Sequence, residues 1–230
     1  MAETIATRRV EAPSAPAETA TRLTRALLAC GVPAGSLFMI VALVQAFTRP
    51  GFDLRRHAIS MLALGDLGWI QVTDFIGCGL LIVALAAGVR RALHPGPAGT
   101  WGPVLLGAYG VGLVAAGLFR TDPALGFPPG APAGMPAAMS WHAVLHSIAF
   151  FVAFTSLTAA CFVLARRFAQ VGQRRWTVYC AATGAATPVL VTLGMTGLIA
   201  TGVAFAIAGL STSSWVAAVA GKLASDSTRA

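Results

Sequence analysis

From Trp176 to Gly221 the chain carries no charged residue. As one α-helix, at about 1.5 Å per residue, such a run would be about twice as long as the hydrocarbon core of a bilayer is thick. It must therefore fold back, and the reversal is expected between Gly194 and Gly202. Two spans result, the first of them predicted to kink at Pro188. Four earlier apolar runs, 26–48, 69–89, 101–119 and 141–165, are each long enough to cross a membrane as a helix. Among charged and imidazole side chains, only Asp74 in the second run and His142 and His146 in the fourth interrupt them. Charged residues make up 10% of the chain and the mean hydropathy is +0.76. A soluble domain carries roughly 25% charged residues, so both a water-soluble globule and a disordered chain are excluded. The expected fold is all-α: a six-transmembrane-helix bundle over 22–223, with a disordered tail at 1–21 and a short tail at 224–230.

Six spans put both ends of that bundle on one side, and the basic residues indicate which. With the N-terminus in the cytoplasm, inner segments hold Arg8, Arg9, Arg22, Arg25, Arg90, Arg91, Arg166, Arg167, Arg174, Arg175, Lys222 and Arg229. The outer segments then hold only Arg49, Arg55, Arg56 and Arg120. This bias follows the positive-inside rule and predicts cytoplasmic termini, so the net charge of +8 reads as topology and not as a nucleic-acid footprint. Trp69, Trp101, Trp141 and Trp176 stand at span ends, where an aromatic belt is expected. Cys30, Cys78, Cys161 and Cys180 all lie in apolar runs without CxxC spacing, as small buried hydrophobes do. Fifteen of the 16 cations are Arg, which with the Ala and Gly content suggests a GC-rich bacterial genome and hence a bacterial plasma membrane.

The unusual polar residues gather in the two longer outer loops. In the first, Asp53 resembles a helix N-cap and Gly65 a helix stop. The stretch between them reads as a short amphipathic helix in the outer interface or dipping into the mouth of the bundle. Ala58, Met61 and Leu62 would form its apolar side, and Arg56, His57 and Ser60 the other. Arg55 and Arg56 run against the positive-inside trend. Two readings are open: solvated or snorkelling cations, or a grip on a lipid phosphate or other small anion. The second loop leads into His142 and His146, which share a helix face at a spacing that can chelate a divalent metal. A third ligand would have to come from His57, Asp66, Asp122 or Asp74. No Glu completes a zinc-protease motif, and Arg55 and Arg56 disfavour a cation beside His57. Hydrogen bonds from His142 or His146 to a loop carbonyl or carboxylate are therefore expected in place of metal. By the same reasoning the 54–66 segment should pack beside the start of the fourth span. A serine nucleophile at Ser60 beside His57 lacks any GxSxG elbow. No phosphate-binding loop, dinucleotide fingerprint or haem motif occurs, so no cofactor is expected. The near absence of midplane acids argues against a proton-coupled transporter.

Three segments together resemble a known family. They are Ile59-Ser60-Met61-Leu62-Ala63-Leu64-Gly65-Asp66 with Gly68-Trp69, then Gly117-Leu118-Phe119-Arg120-Thr121-Asp122-Pro123 with Gly126-Phe127-Pro128, then His142 with His146. In this order, over about 26–223, they resemble the bacterial membrane family called domain of unknown function 998. The resemblance implies a single six-helix integral membrane domain without an established activity. Members often carry an Arg early in the last span. Here 202–223 holds none, so no role of that Arg carries over.

The expected function is a multi-pass membrane protein whose partners are membrane lipids and which binds a lipid head group or small anion at its outer mouth. Arg55, Arg56, His57, Ser60, Asp66, Asp122, His142 and His146 are the candidate ligand-binding residues. Two alternatives stand beside it. One is a metal-dependent hydrolase of lipids using His142, His146 and His57. The other is a purely structural or assembly protein.

Overall fold

The structure, a computed structural model, describes residues 15–227. Seven α-helices are present: α1 (Ala15–Ala29), α2 (Gly31–Thr48), α3 (Gly68–Leu93), α4 (Pro97–Leu118), α5 (Trp141–Gln170), α6 (Arg174–Met195) and α7 (Thr201–Asp226). A 3-10 helix, Ile59–Ala63, lies between α2 and α3. Among the described residues there is no strand, only an isolated bridge between Ala124 and Phe127. Six helical segments are long and apolar enough to span a membrane, the first being α1 and α2 together as Glu18–Thr48. Cys30, between those two, keeps right-handed helical angles, so they run on as one rod. The 176–221 run folds back through a turn at 196–200, inside the window read from its length. Glycine 197 supplies the positive φ that turn uses.

Two boundaries differ from the sequence reading. The helix starts at Ala15, so 15–21 is not tail, whereas 1–14 lies outside the described residues. The segment is rich in Ala, and Glu18 pairs with Arg22 one turn on at 3.5 Å, so local propensity suffices without an apolar core. At the other end α7 continues to Asp226, where Lys222 and Asp226 pair at 2.7 Å, and 228–230 lies outside the described residues. α6 also runs on through Pro188 without a break. There Thr187 Oγ donates to the Thr183 carbonyl, and both threonines are buried.

Each helix packs on the next in sequence from α2 to α7, and α7 returns to pack on α2. The spans thus form a closed ring, filled by Phe75, Tyr109, Leu113, Leu157 and Trp215. The Trp215 indole N–H donates to Cys180 Sγ at 3.2 Å, so the largest core side chain leaves no orphan donor. Ile40, Leu80, Val111, Phe151 and Val189 lie exposed on the outside of the ring. An apolar belt of that extent belongs against lipid tails, not water. Trp69, Trp101 and Trp141 are exposed at span ends, as an interfacial belt requires, while Trp176 is half-buried against Phe168.

Small residues bring the helices close. A Cβ at Gly79 of α3 would stand 2.6 Å from the Gly110 carbonyl oxygen of α4, and one at Gly110 would stand 2.7 Å from the Gly79 oxygen. The two backbones therefore touch, as small-residue packing in membranes allows. Replacement Gly79→Val is expected to cost about 1–3 kcal/mol through overpacking. Gly107→Ala, where an added Cβ meets nothing within 4 Å, should be silent. Thermal unfolding in a mild detergent compares them, and equal melting temperatures would refute the close approach.

Candidate functional site

The loops 49–67 and 119–140 cover one end of the ring, here termed the cap end; both described chain ends lie at the other. The first loop is built from local turns. The Asp53 carboxylate accepts from the Arg55 N–H at 2.9 Å, and the His57 N–H donates to the Asp53 carbonyl at 2.8 Å. Asp53 thus closes an Asx-type turn instead of capping an α-helix. Ile59–Ala63 then forms a single 3-10 turn in which Ile59, Met61, Leu62 and Ala63 are all buried. The short helix dips into the mouth of the bundle, and the amphipathic α-helix with His57 on its polar side is not what forms. Too many of its positions are apolar to leave a wet face.

His57 is 2% exposed. Its Nδ1 accepts from the Asp53 N–H at 2.9 Å, which puts the ring proton on Nε2, 3.1 Å from the Leu125 carbonyl it donates to. One imidazole therefore joins two loops 68 residues apart in sequence. Leu125 and Gly126 have φ of +56° and +84°, and Ala124 and Phe127 exchange both backbone hydrogen bonds across them. This is a turn of the I′ kind, costly for Leu, and it presents the Leu125 carbonyl to His57. The rings of Phe52 and Phe127 lie 5.3 and 5.4 Å from that of His57, and Phe127 is wholly buried.

Arg49 was not among the sequence candidates, yet it closes the same cluster. Its guanidinium donates to the carbonyls of Leu62 and Leu64, at the end of the 3-10 turn, and stands 5.1 Å over the Phe127 ring. Partial burial pulls its pKa below the usual Arg value, and the Asp66 carboxylate opposes that shift. An Arg directly after an apolar run, followed by Pro50, was the available signal.

His146 is buried at the first turns of α5, and its Nδ1 lies 2.8 Å from the Phe119 carbonyl and 3.2 Å from that of Ala116. These are end carbonyls of α4, so the imidazole supplies the donor they lack. His142 is exposed, its ring 3.6 Å from that of Trp141. Asp122 accepts from the Ser140 N–H at 2.8 Å, and the Ser140 hydroxyl oxygen accepts from the Ala143 N–H at 3.2 Å as the N-cap of α5. Hydrogen bonds from the Ser140 hydroxyl and N–H hold the Asp122 carboxyl below the usual carboxylate range.

The eight candidate residues do not meet at one point. His57 belongs with Leu125 and Phe127, His146 with the end of α4, and Asp122 with Ser140. Arg55, Arg56 and Asp66 are exposed, Ser60 half-buried. Among the described residues no three His, Cys, Asp or Glu side chains stand close enough to hold a metal ion. The 54–66 segment packs on α3, α2, the second loop and the start of α7, and not chiefly on the start of α5. A Cβ at Gly202 would run into the carbonyls of Leu54 and His57, so only glycine lets α7 meet this loop.

Beneath the cap lies a second polar group that the sequence reading did not connect. Gln45 Nε2 donates to Gln71 Oε1 at 2.8 Å, Gln71 Nε2 to Asp74 at 3.2 Å, and Cys78 Sγ to the other Asp74 oxygen at 3.4 Å. All four residues are buried, and Gln45 Oε1 has no partner among the described residues. In the sequence, Asp74 and two glutamines inside apolar runs are the signal for this group.

His57→Phe keeps a ring between Phe52 and Phe127 but removes both nitrogens. Leaving the Asp53 N–H and Leu125 carbonyl unmatched should cost about 1–3 kcal/mol for each buried group. Amide exchange at Asp53, followed in detergent, is expected to accelerate at least roughly tenfold by that arithmetic. Unchanged exchange would show that the imidazole does not hold the loops.

The family model described as Protein of unknown function (DUF998) matches residues 32–222, from the start of α2 almost to the end of α7. No curated protein and no solved structure matches the chain. The match takes in the cap loops, the α2 part of the first span and the other five spans up to residue 222, and the chain belongs to this family of membrane-spanning helical proteins of unknown function.

Proposed function

We propose that this is a non-enzymatic multi-pass protein of a bacterial plasma membrane, with both termini in the cytoplasm, whose outer cap binds the anionic head group of a lipid. The observation that carries the reading is the position of Arg55 and Arg56. Both are exposed on a loop that His57 and Arg49 hold rigid, and neither side chain has a protein partner among the described residues. Guanidinium groups on a fixed backbone can grip a phosphate bidentately without first paying to order the loop. The hydrolase reading draws no support from the geometry, because His57 and His146 spend ring nitrogens on backbone groups.

The basic residues support this orientation: Arg90, Arg91, Arg166, Arg167, Arg174 and Arg175 all flank the end that carries the described chain ends. In a Cys-free background, an impermeant thiol reagent added to intact cells should mark a Cys at Ala131 and miss one at Gly172. The reverse pattern would overturn the orientation.

Head-group binding is tested with a photoreactive phosphatidylglycerol reconstituted with the full chain. Adducts are expected on the peptide that spans 50–66, falling about tenfold in Arg55→Gln/Arg56→Gln, which is the effect of losing one or two charge-assisted hydrogen bonds. Equal labelling of the double variant, with a photoreactive phosphatidylcholine labelling equally well, would remove the function.

A further inference from the structure

The opposite end of the ring, where the chain begins and ends, holds a cleft of about 690 Å³. It is walled by α1, the end of α3, the end of α5, Gln173 before α6 and the last turn of α7. Arg91 and Arg167 both line it. Arg91 Nε donates to Thr24 Oγ at 3.0 Å, and its terminal nitrogens have no protein partner among the described residues. Arg167 is half-buried, with no hydrogen bond or ion pair from its side chain among the described residues. Asp226 is the acid in the wall, and it is paired with Lys222 at 2.7 Å, so it does not neutralise either arginine. Two arginines on one cleft, with no acid paired to either among the described residues, favour an anion between them.

We infer that this cleft binds a phosphate ester bearing hydroxyl groups, through Arg91 and Arg167. The volume falls in the range of about 300–1,000 Å³ typical of small-molecule sites and is far larger than a bare phosphate needs. The rest of the wall divides by polarity. Leu93, Phe168 and Leu223 offer apolar surface towards the bundle, whereas Thr24 and Gln173 are polar. Gln173 lines the cleft, and its buried amide oxygen has no donor among the described residues, a valence that suits a ligand hydroxyl. The cleft opens at the depth of the span ends, where lipid phosphates lie. A glycerol-type phosphodiester head group and a soluble glycerol phosphate share this chemistry. The site is separate from Arg55 and Arg56, which lie at the other end of the molecule.

The test uses the full chain in an uncharged maltoside detergent, titrated separately with short-chain phosphatidylglycerol, short-chain phosphatidylcholine and glycerol 3-phosphate and read by native mass spectrometry. In the Arg55→Gln/Arg56→Gln background, which removes the cap arginines, one tightly held phosphatidylglycerol is expected, with its affinity falling at least tenfold when Arg91→Gln/Arg167→Gln is added. Arg167→Lys should keep part of the affinity, and ligand-free melting temperatures check that each variant folds. Competition by glycerol 3-phosphate at similar concentration would support the site with a soluble ester as its ligand; failure to compete would support the lipid. If neither phosphate binds the wild type, if phosphatidylcholine binds as well, or if adding Arg91→Gln/Arg167→Gln to that background leaves binding unchanged, the inference is overturned. Loss of binding in Arg55→Gln/Arg56→Gln alone would place the anion at the cap and overturn it as well.

Discussion

A helix that stops at the edge of a bilayer leaves carbonyls and N–H groups that neither its own backbone nor bulk water satisfies. The cap end of this protein is organised around that constraint. Arg49 serves the carbonyls that end the 3-10 turn, His146 serves those that end α4, and Ser140 serves the start of α5. His57 takes one donor from its own loop and gives one to the other. These polar side chains of the cap are committed to the backbone. What they leave over, Arg55 and Arg56, stands on the surface of the structure they stabilise.

The chain Gln45–Gln71–Asp74–Cys78 answers the same constraint among side chains. A single amide or carboxyl on a spanning helix would be left without partners in hydrocarbon. Distributed over α2 and α3, the groups serve one another and fix the register of the first two spans. Within this group, the Gln45 amide oxygen is left without a partner among the described residues. It sits directly below the cap, where a residue of α3, Phe75, also meets the His146 ring at 6.5 Å.

The fold was legible because its cause is composition. Apolar runs of fixed length, and one run too long for a single crossing, dictate six helices whatever the details of packing. The reversal between Gly194 and Gly202 followed from length alone. The site was less legible, because hydrogen-bond partners across 68 residues leave no local pattern. His57 looked like a polar-face residue since its neighbours are Arg55 and Arg56. The turn at Leu125 that receives it has no helical or strand period to announce it. Arg49 read as a topology marker, although its carbonyl acceptors lie only 13 and 15 residues away. The helical start at Ala15 was missed for the opposite reason: local propensity forms it without the apolar stripe that the reading required.

The ring closes where α7 meets α2, and the first of these is the last made. A Cβ at Gly35 of α2 would collide with the Ser213 carbonyl of α7, so that face of α2 is shaped for a helix made after the other spans of the ring. Until α7 is inserted, the small-residue flank of the first span faces lipid or whatever chaperones the nascent chain. The same holds for the first loop, in which His57 needs the Leu125 carbonyl as its acceptor and the carbonyls of Leu54 and His57 pack against Gly202 of α7. Closure of the ring therefore waits for α7, and a chain cut short before α7 would leave five spans open along one seam.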